Sequence, residues 1–196
     1  RSRTVVGTVG NFNPHKGHDI LWAATESLWR EGLDFDLVIC GQPSASYQAE
    51  YDESRARWLE GLPQMWRERV RYATPLGSVA SVVREFDVFV LSSRSEGVPT
   101  SLLEAMSCGL PSIAFDVGGV REVLRHEADG LLVGGPDATR LADGLRRLLS
   151  DPELRHLLGR SARQRAVQEF ASEQCAHVHR LALEAAVRSR PVRRAQ

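Results

Sequence analysis

Lysine is nearly missing from this chain: of 25 basic side chains in 196 residues, only Lys16 is an ammonium and the rest are arginine. Net charge is missing as well, because the 25 basic groups meet 25 acidic ones. A balanced chain lacks the positive excess that non-specific nucleic-acid binding requires. No apolar run approaches the roughly 18 residues of a membrane-spanning helix. Cysteine is scarce, with Cys40, Cys108 and Cys175 widely spaced and odd in number. That pattern fits reduced, buried thiols of a cytoplasmic protein better than a disulfide frame, and the lack of a C-x-x-C pair argues against a redox role. No signal peptide opens the chain: "RSRTVVGTVG" enters a core-like strand at once, without an initiator Met. It reads as a fragment cut at a domain boundary. The stretch "GTVGNF" lacks G-x-G-x-x-G spacing and no P-loop occurs, so neither common phosphate fingerprint applies.

What is present is a 42% hydrophobic composition over a length that suits one domain with a proper core. Short β-branched runs alternate with amphipathic stretches. Strands are expected at 4–9, 35–41, 69–74, 87–93, 111–116 and 130–134. Helices are expected at 18–32, 47–62 (polar and exposed), 78–86, 100–108 and 120–126. Three more, 137–150, 152–169 and 172–189, close the chain. Strands apolar along their whole length imply a parallel sheet covered on both faces. The reading is an α/β, doubly wound, Rossmann-like fold of six strands with a helical C-terminal tail. Residues 1–187 form the domain, and 188–196 are a basic, Pro-broken, disordered end. Ligands of such sheets sit beyond the strands' carboxyl ends near the topological switch point. That rule nominates loops 10–17, 41–46, 92–100 and 116–120.

Two of these loops carry chemistry. In "GNFNPHKG" Gly10 ends a strand and Gly17 opens a helix, which sets Lys16 at a helix start on the ligand edge. A flexible ammonium there suits a phosphate, as do the helix N–H groups. In "SRSEGVPTSLLEAMSCGLP" a strand ends, Glu96 follows in a loop, and a helix begins near Pro99. With Pro99 at the first helical position, the amides of Thr100, Ser101 and Leu102 are free donors backed by the helix dipole. Glu104 lies in the second turn, its side chain tilted back toward that start. Two carboxylates flanking an anion site suit hydroxyl donors on either side of the anion. An S-x-x-E capping box from Ser101 to Glu104 explains Glu104 equally well. In "DVGGVRE", Gly118 and Gly119 either let backbone approach a ligand or simply make a turn. "CAHVH" places Cys175 and His179 on one helix face without a third ligand, short of a zinc site.

The E-x7-E spacing from Glu96 to Glu104, within "SRSEGVPTSLLEAMSCGLPSIAFDVGGVREVL", resembles the donor-binding half of retaining glycosyltransferases of family four. These are group 1 enzymes of the two-domain B-type fold. The resemblance runs from "VGNFNPHKGHDIL" through "ADGLLVGGPDATRLADGL" to the closing helices. It implies that Lys16 binds the donor diphosphate, Glu96 contacts the transferred sugar and Glu104 holds the ribose. Lys16 and Glu96 are thereby the catalytic candidates. Backbone at Gly10, Asn11, Gly97, Val98, Pro99, Thr100, Ser101 and Leu102 lines the donor. The usual Gly-Arg of the first loop is Gly10-Asn11 here, so one diphosphate-gripping cation is gone; Arg94 or Arg121 is a candidate substitute. The resemblance further implies a nucleotide-diphosphate sugar as substrate, with UDP, GDP and ADP undistinguished, and no metal, cofactor or covalent nucleophile. It implies an N-terminal acceptor-binding domain as partner and leaves room for peripheral membrane association. A nucleotide-sugar epimerase of the same fold and a non-catalytic module decayed at Asn11 stay open as alternatives.

Overall fold

The computed structural model of the chain describes residues 3–74 and 79–188. Six strands form one sheet: β1 (Thr4–Val9), β2 (Phe35–Cys40), β3 (Val70–Ala73), β4 (Val88–Leu91), β5 (Ser112–Phe115) and β6 (Leu131–Val133). They lie in the order β3-β2-β1-β4-β5-β6, and every pairing is parallel. This is the expected doubly wound α/β fold. Its strand order reverses between β1 and β4, so the loops after those two strands flank the switch point.

Side chains alternate across the sheet with the period of a strand. Leu37, Ile39, Val88, Val90, Ile113 and Phe115 point into one core, while Val38, Cys40, Phe89, Leu91 and Ala114 point into the other. The first core is covered by α1 (His18–Arg30) and α7 (Ala138–Ser150), which contribute Leu21, Leu28, Leu141 and Leu145. The second is covered by α4 (Val79–Val83), α5 (Thr100–Ser107) and α8 (Pro152–Glu169), through Val83, Leu102, Met106 and Ala162. Gly159 of α8 has no room for a side chain, since a Cβ there would lie 2.3 Å from Gly109 O. Asp137 and Asp151 cap α7 and α8 by accepting bonds from Arg140 N–H (2.8 Å) and Leu154 N–H (2.9 Å).

The expected elements are all present, most of them trimmed at their ends, α6 (Val120–Val123) among them. A four-residue helix, α3 (Gln64–Arg67), was not expected. The helix expected as polar and exposed, α2 (Gln48–Gly61), is anchored after all. Tyr51 is buried and stacks on Phe12 at 4.7 Å, and Trp58 stacks on Trp22 at 5.1 Å. Four rings outweigh the helix's polar composition because each offers a large apolar area and a preferred stacking geometry. Of the three free thiols only Cys40 is buried; Cys108 is half-buried and Cys175 exposed, which corrects the expectation of three buried thiols. Arg188 still belongs to α9 (Ser172–Arg188), and the tail expected to be disordered otherwise lies outside the described residues. Residue 78, the expected start of the fourth helix, also lies outside them.

His18, the first residue of α1, is 3% exposed, and its Nδ1 lies 2.9 Å from Tyr51 Oη. Burial lowers its pKa from 6.5 to about 4, with Asp19 opposing and Lys16 assisting. The folded chain therefore keeps His18 neutral at pH values where the unfolded chain protonates it. Stability is present above pH 6.5 and is lost as the pH falls toward 4, by about 3 kcal/mol. Urea midpoints of the wild type and of His18→Gln, compared between pH 7.5 and 4.5, are expected to show the steeper acid loss in the wild type. Equal slopes would contradict the buried neutral imidazole.

Candidate functional site

The loop after β1 is a tight structure. Gly10 N–H donates to Cys40 O at 3.0 Å and Phe12 N–H to Gln42 O at 2.9 Å, which ties the loop to the end of β2. A 3-10 turn at Pro14–Lys16 then leads into Gly17 at φ 61°, a left-handed residue that caps α1. A Cβ on Gly17 would lie 2.1 Å from Ser92 O, so glycine is required by both backbone angle and space. This close approach brings the β1 loop onto the end of β4. Ser92 Oγ donates to Lys16 O at 2.8 Å, and Arg94 N–H donates to His15 O at 2.8 Å. Arg94 Nη1 donates to Pro14 O at 2.8 Å, and its guanidinium grips both oxygens of Asp19 at 2.8 and 2.6 Å.

On that platform Lys16 Nζ meets Glu96 Oε1 at 2.7 Å, across a separation of 80 residues. The Glu96 side chain is 10% exposed and that of Lys16 27%. The Lys16 stem passes Gly10, where a Cβ would stand 3.3 Å from Lys16 Cδ. Two of the three groups singled out in the sequence are thus brought into direct contact at the switch point.

The third, Glu104, stands in the second turn of α5 as an exposed residue whose side chain has no bonding partner among the described residues. Partial desolvation raises its carboxyl above the usual range. The capping-box explanation is excluded: the N-cap of α5 is Pro99, with no side-chain cap bond, so Glu104 is the fifth residue of the helix. Pro99 therefore stands one position earlier than expected. Its carbonyl accepts from Leu102 N–H at 3.1 Å and Leu103 N–H at 3.2 Å. The Leu102 amide is consequently engaged, and its side chain is core. The amides of Thr100 and Ser101 remain without an acceptor among the described residues, and Val98 and Gly97 are exposed beside them.

Gly118 and Gly119 serve the Glu96 loop. Gly118 has φ 52°, and a Cβ on it would lie 1.9 Å from Glu96 O; one on Gly119 would lie 2.3 Å from Gly97 O. Gly119 N–H donates to Glu96 O at 3.2 Å. The two glycines let the β5 loop press against the backbone that carries Glu96. The substitutes considered for the absent arginine are both committed elsewhere. Arg121 is paired with both oxygens of Asp116, its Nε at 2.9 Å, and this pairing holds the Asp116 carboxyl below the usual range. Burial pushes Asp19 up, but its bonds from Arg94 prevail and hold it low. Asn11 is exposed and uncharged. Asp19 and Ser92 were missed by sequence reasoning; each acts on a residue more than seventy positions away, and no local pattern marks such a pair.

A cavity of about 230 Å³ opens beside this network, lined among others by Asn13, His18, Trp22, Tyr51 and Arg94. Lys16, Glu96 and Glu104 do not line it.

Comparison with known proteins supplies a family context. A family model described as "Glycosyl transferases group 1" matches residues 2–165. The D-inositol 3-phosphate glycosyltransferase of Salinispora tropica is 32% identical over 169 residues, 83% of this chain and 34% of that protein. Sucrose-phosphate synthase from Thermosynechococcus elongatus superposes with a TM-score of 0.79 at 28% identity, over 94% of this chain and 46% of that one. The C-terminal domain of a group 1 family glycosyl transferase from Francisella tularensis gives 0.71 at 20% identity, over 85% of this chain and 86% of that one. The chain spans less than half the length of the curated relatives it matches.

Two glycine substitutions separate support of the site from contact at the site. Gly118→Ala forces a left-handed alanine into Glu96 O, and chemical denaturation is expected to show a loss of at least about 2 kcal/mol. At Gly97 a Cβ meets nothing within 4 Å, so Gly97→Ala is expected to leave stability within roughly 0.5 kcal/mol of wild type.

Proposed function

This chain belongs to the group 1 glycosyl transferases, and on that premise we propose that it holds a nucleotide-diphosphate sugar for retaining transfer to an acceptor hydroxyl. The observation that carries this reading is the Lys16–Glu96 ion pair at the switch point, beside the open start of α5. The pair keeps a cation and a carboxylate together in a net-neutral unit until a ligand offers each a better partner. A donor does so: its diphosphate draws the ammonium of Lys16, and its sugar hydroxyls donate to the released Glu96. The free amides of Thr100 and Ser101 add the positive end of α5 to the same anion. Glu104, unpaired and partly desolvated, gains from the two hydroxyls of a ribose, since donors to the ionised form offset its desolvation.

With Asn11 in the first loop and Arg94 and Arg121 bound to aspartates, Lys16 is the cation on which the leaving diphosphate depends. It stabilises the charge that grows as the sugar–phosphate bond breaks, the kind of electrostatic term that contributes most to such barriers. Glu96 orients the sugar. Metal, cofactor and covalent nucleophile have no part in this proposal. The acceptor is held by an N-terminal domain of the whole protein, so the 196-residue chain alone binds donor nucleotide but turns over little.

Calorimetric titration of the chain with UDP, GDP and ADP tests this. One nucleotide is expected to bind, and Lys16→Ala is expected to weaken it roughly 10- to 100-fold, the worth of one charge-assisted contact. Glu104→Ala is expected to weaken it to a similar degree, whereas the free base and inorganic pyrophosphate separately should bind far less well. Binding left unchanged in both variants would overturn the assignment. Failure of all three nucleotides to bind would favour the non-catalytic module.

A further inference from the structure

The opposite edge of the sheet carries the charge that the ligand edge has cancelled. At the amino ends of β4 and β5 lies an open pocket of about 370 Å³. Its lining includes Arg155, His156, Arg160 and Arg163 from one stretch of α8, together with Gly109 from the turn before β5. Asp87 is the acidic residue of the lining, and its Oδ2 already accepts from Val5 N–H at 2.8 Å. None of the three arginines makes an ion pair among the described residues. This contrasts with Lys16, Arg94 and Arg121, each held by a carboxylate. In a chain of zero net charge, three uncompensated guanidiniums within nine residues of one helix are a local concentration of positive charge.

Two of these guanidiniums are already fixed in place. Arg155 Nη1 donates to Leu148 O at 2.5 Å and Leu149 O at 3.1 Å, at the carboxyl end of α7. Arg163 Nη1 donates to Ser107 O at 2.5 Å, at the carboxyl end of α5, and its stem lies 3.8 Å from where a Gly109 Cβ would be. Each bond satisfies a terminal helix carbonyl. Each also holds an arginine still while leaving further N–H donors uncommitted. Arg160 makes no hydrogen bond among the described residues. Gly159, between the fixed pair, lets this stretch of α8 lie directly against the turn at Gly109.

We propose that this pocket is a second anion site, which binds a phosphate group through Arg155, Arg160 and Arg163. Guanidinium forks match phosphate oxygens in pairs. With two arginines already ordered, less side-chain freedom is lost on binding. The ligand chemistry is a phosphate or phosphate monoester, presented either free in solution or as a lipid head group. The site stands independently of the donor reading, because it lies at the other end of the strands and shares no residue with it.

The test is a titration of the ¹⁵N-labelled chain with inorganic phosphate at constant ionic strength, followed through backbone amide resonances. Saturable shifts are expected at Gly109 and Gly159, and Arg160→Ala is expected to weaken them about tenfold. Arg160→Ala with Arg163→Gln is expected to abolish them. Arg160 makes no structural bond, so the single variant keeps its fold, which circular dichroism verifies. A parallel arm measures sedimentation with phosphatidylcholine vesicles containing phosphatidic acid, against pure phosphatidylcholine. Binding there that Arg160→Ala removes assigns the phosphate to a lipid head group; binding of inorganic phosphate alone assigns it to a soluble ligand. Absence of binding in both arms overturns the proposal, as do shifts confined to Gly10 and Gly97 or shifts unaltered in the variants.

Discussion

The contact between Lys16 and Glu96 sets what the rest of this structure has to achieve. A partly buried ion pair is stable only if both groups are placed accurately, because each has surrendered hydration that its partner must replace. Here the partners come from loops 80 residues apart. Gly17 is left-handed so that the β1 loop can lie on the end of β4, and Arg94 clamps that loop through Asp19, Pro14 and His15. Gly118 and Gly119 close the other side of the Glu96 loop. The strand order supplies the geometry that makes this meeting feasible, since only at the reversal between β1 and β4 do two such loops face each other across a crevice.

The same contact belongs to a ligand edge without a standing positive field. Every cation placed near it has a carboxylate: Lys16 with Glu96, Arg94 with Asp19 and Arg121 with Asp116. A ligand bringing both an anion and hydroxyl donors can exchange partners with the first of these pairs and leave the charge balance intact. A simple anion cannot, because it would strand Glu96. Under the proposed function, that difference favours a molecule combining phosphates and a sugar over either alone.

Much of the framework was legible because it follows from local periodicities. Short, nearly continuous apolar runs marked β2, β4 and β5, and their being apolar along the whole length implied a parallel sheet covered on both faces. Glycine at a strand end and a solitary lysine before a helix marked the first loop. Three features were not legible, each for a physical reason. The fixed φ of Pro99 suits either the cap or the first turn, so composition placed the helix start at Thr100 but not the role of Pro99 beside it. The polar pattern of α2 hid the ring stacks that hold it, because Tyr51 and Trp58 find their partners in distant segments. The fate of Arg94 and Arg121 depended on aspartates whose positions only the folded loops determine.

Because Lys16 is the single lysine, its ammonium can be observed alone. Side-chain ¹⁵N-lysine labelling yields one Nζ resonance, whose position reports the partner of that group. On addition of saturating nucleotide-diphosphate sugar the resonance is expected to move, and in Glu96→Gln it is expected to begin elsewhere and converge on the same bound position. A resonance indifferent to the nucleotide sugar, while the backbone amides of Thr100 and Ser101 respond to it, would contradict the exchange of partners at this pair.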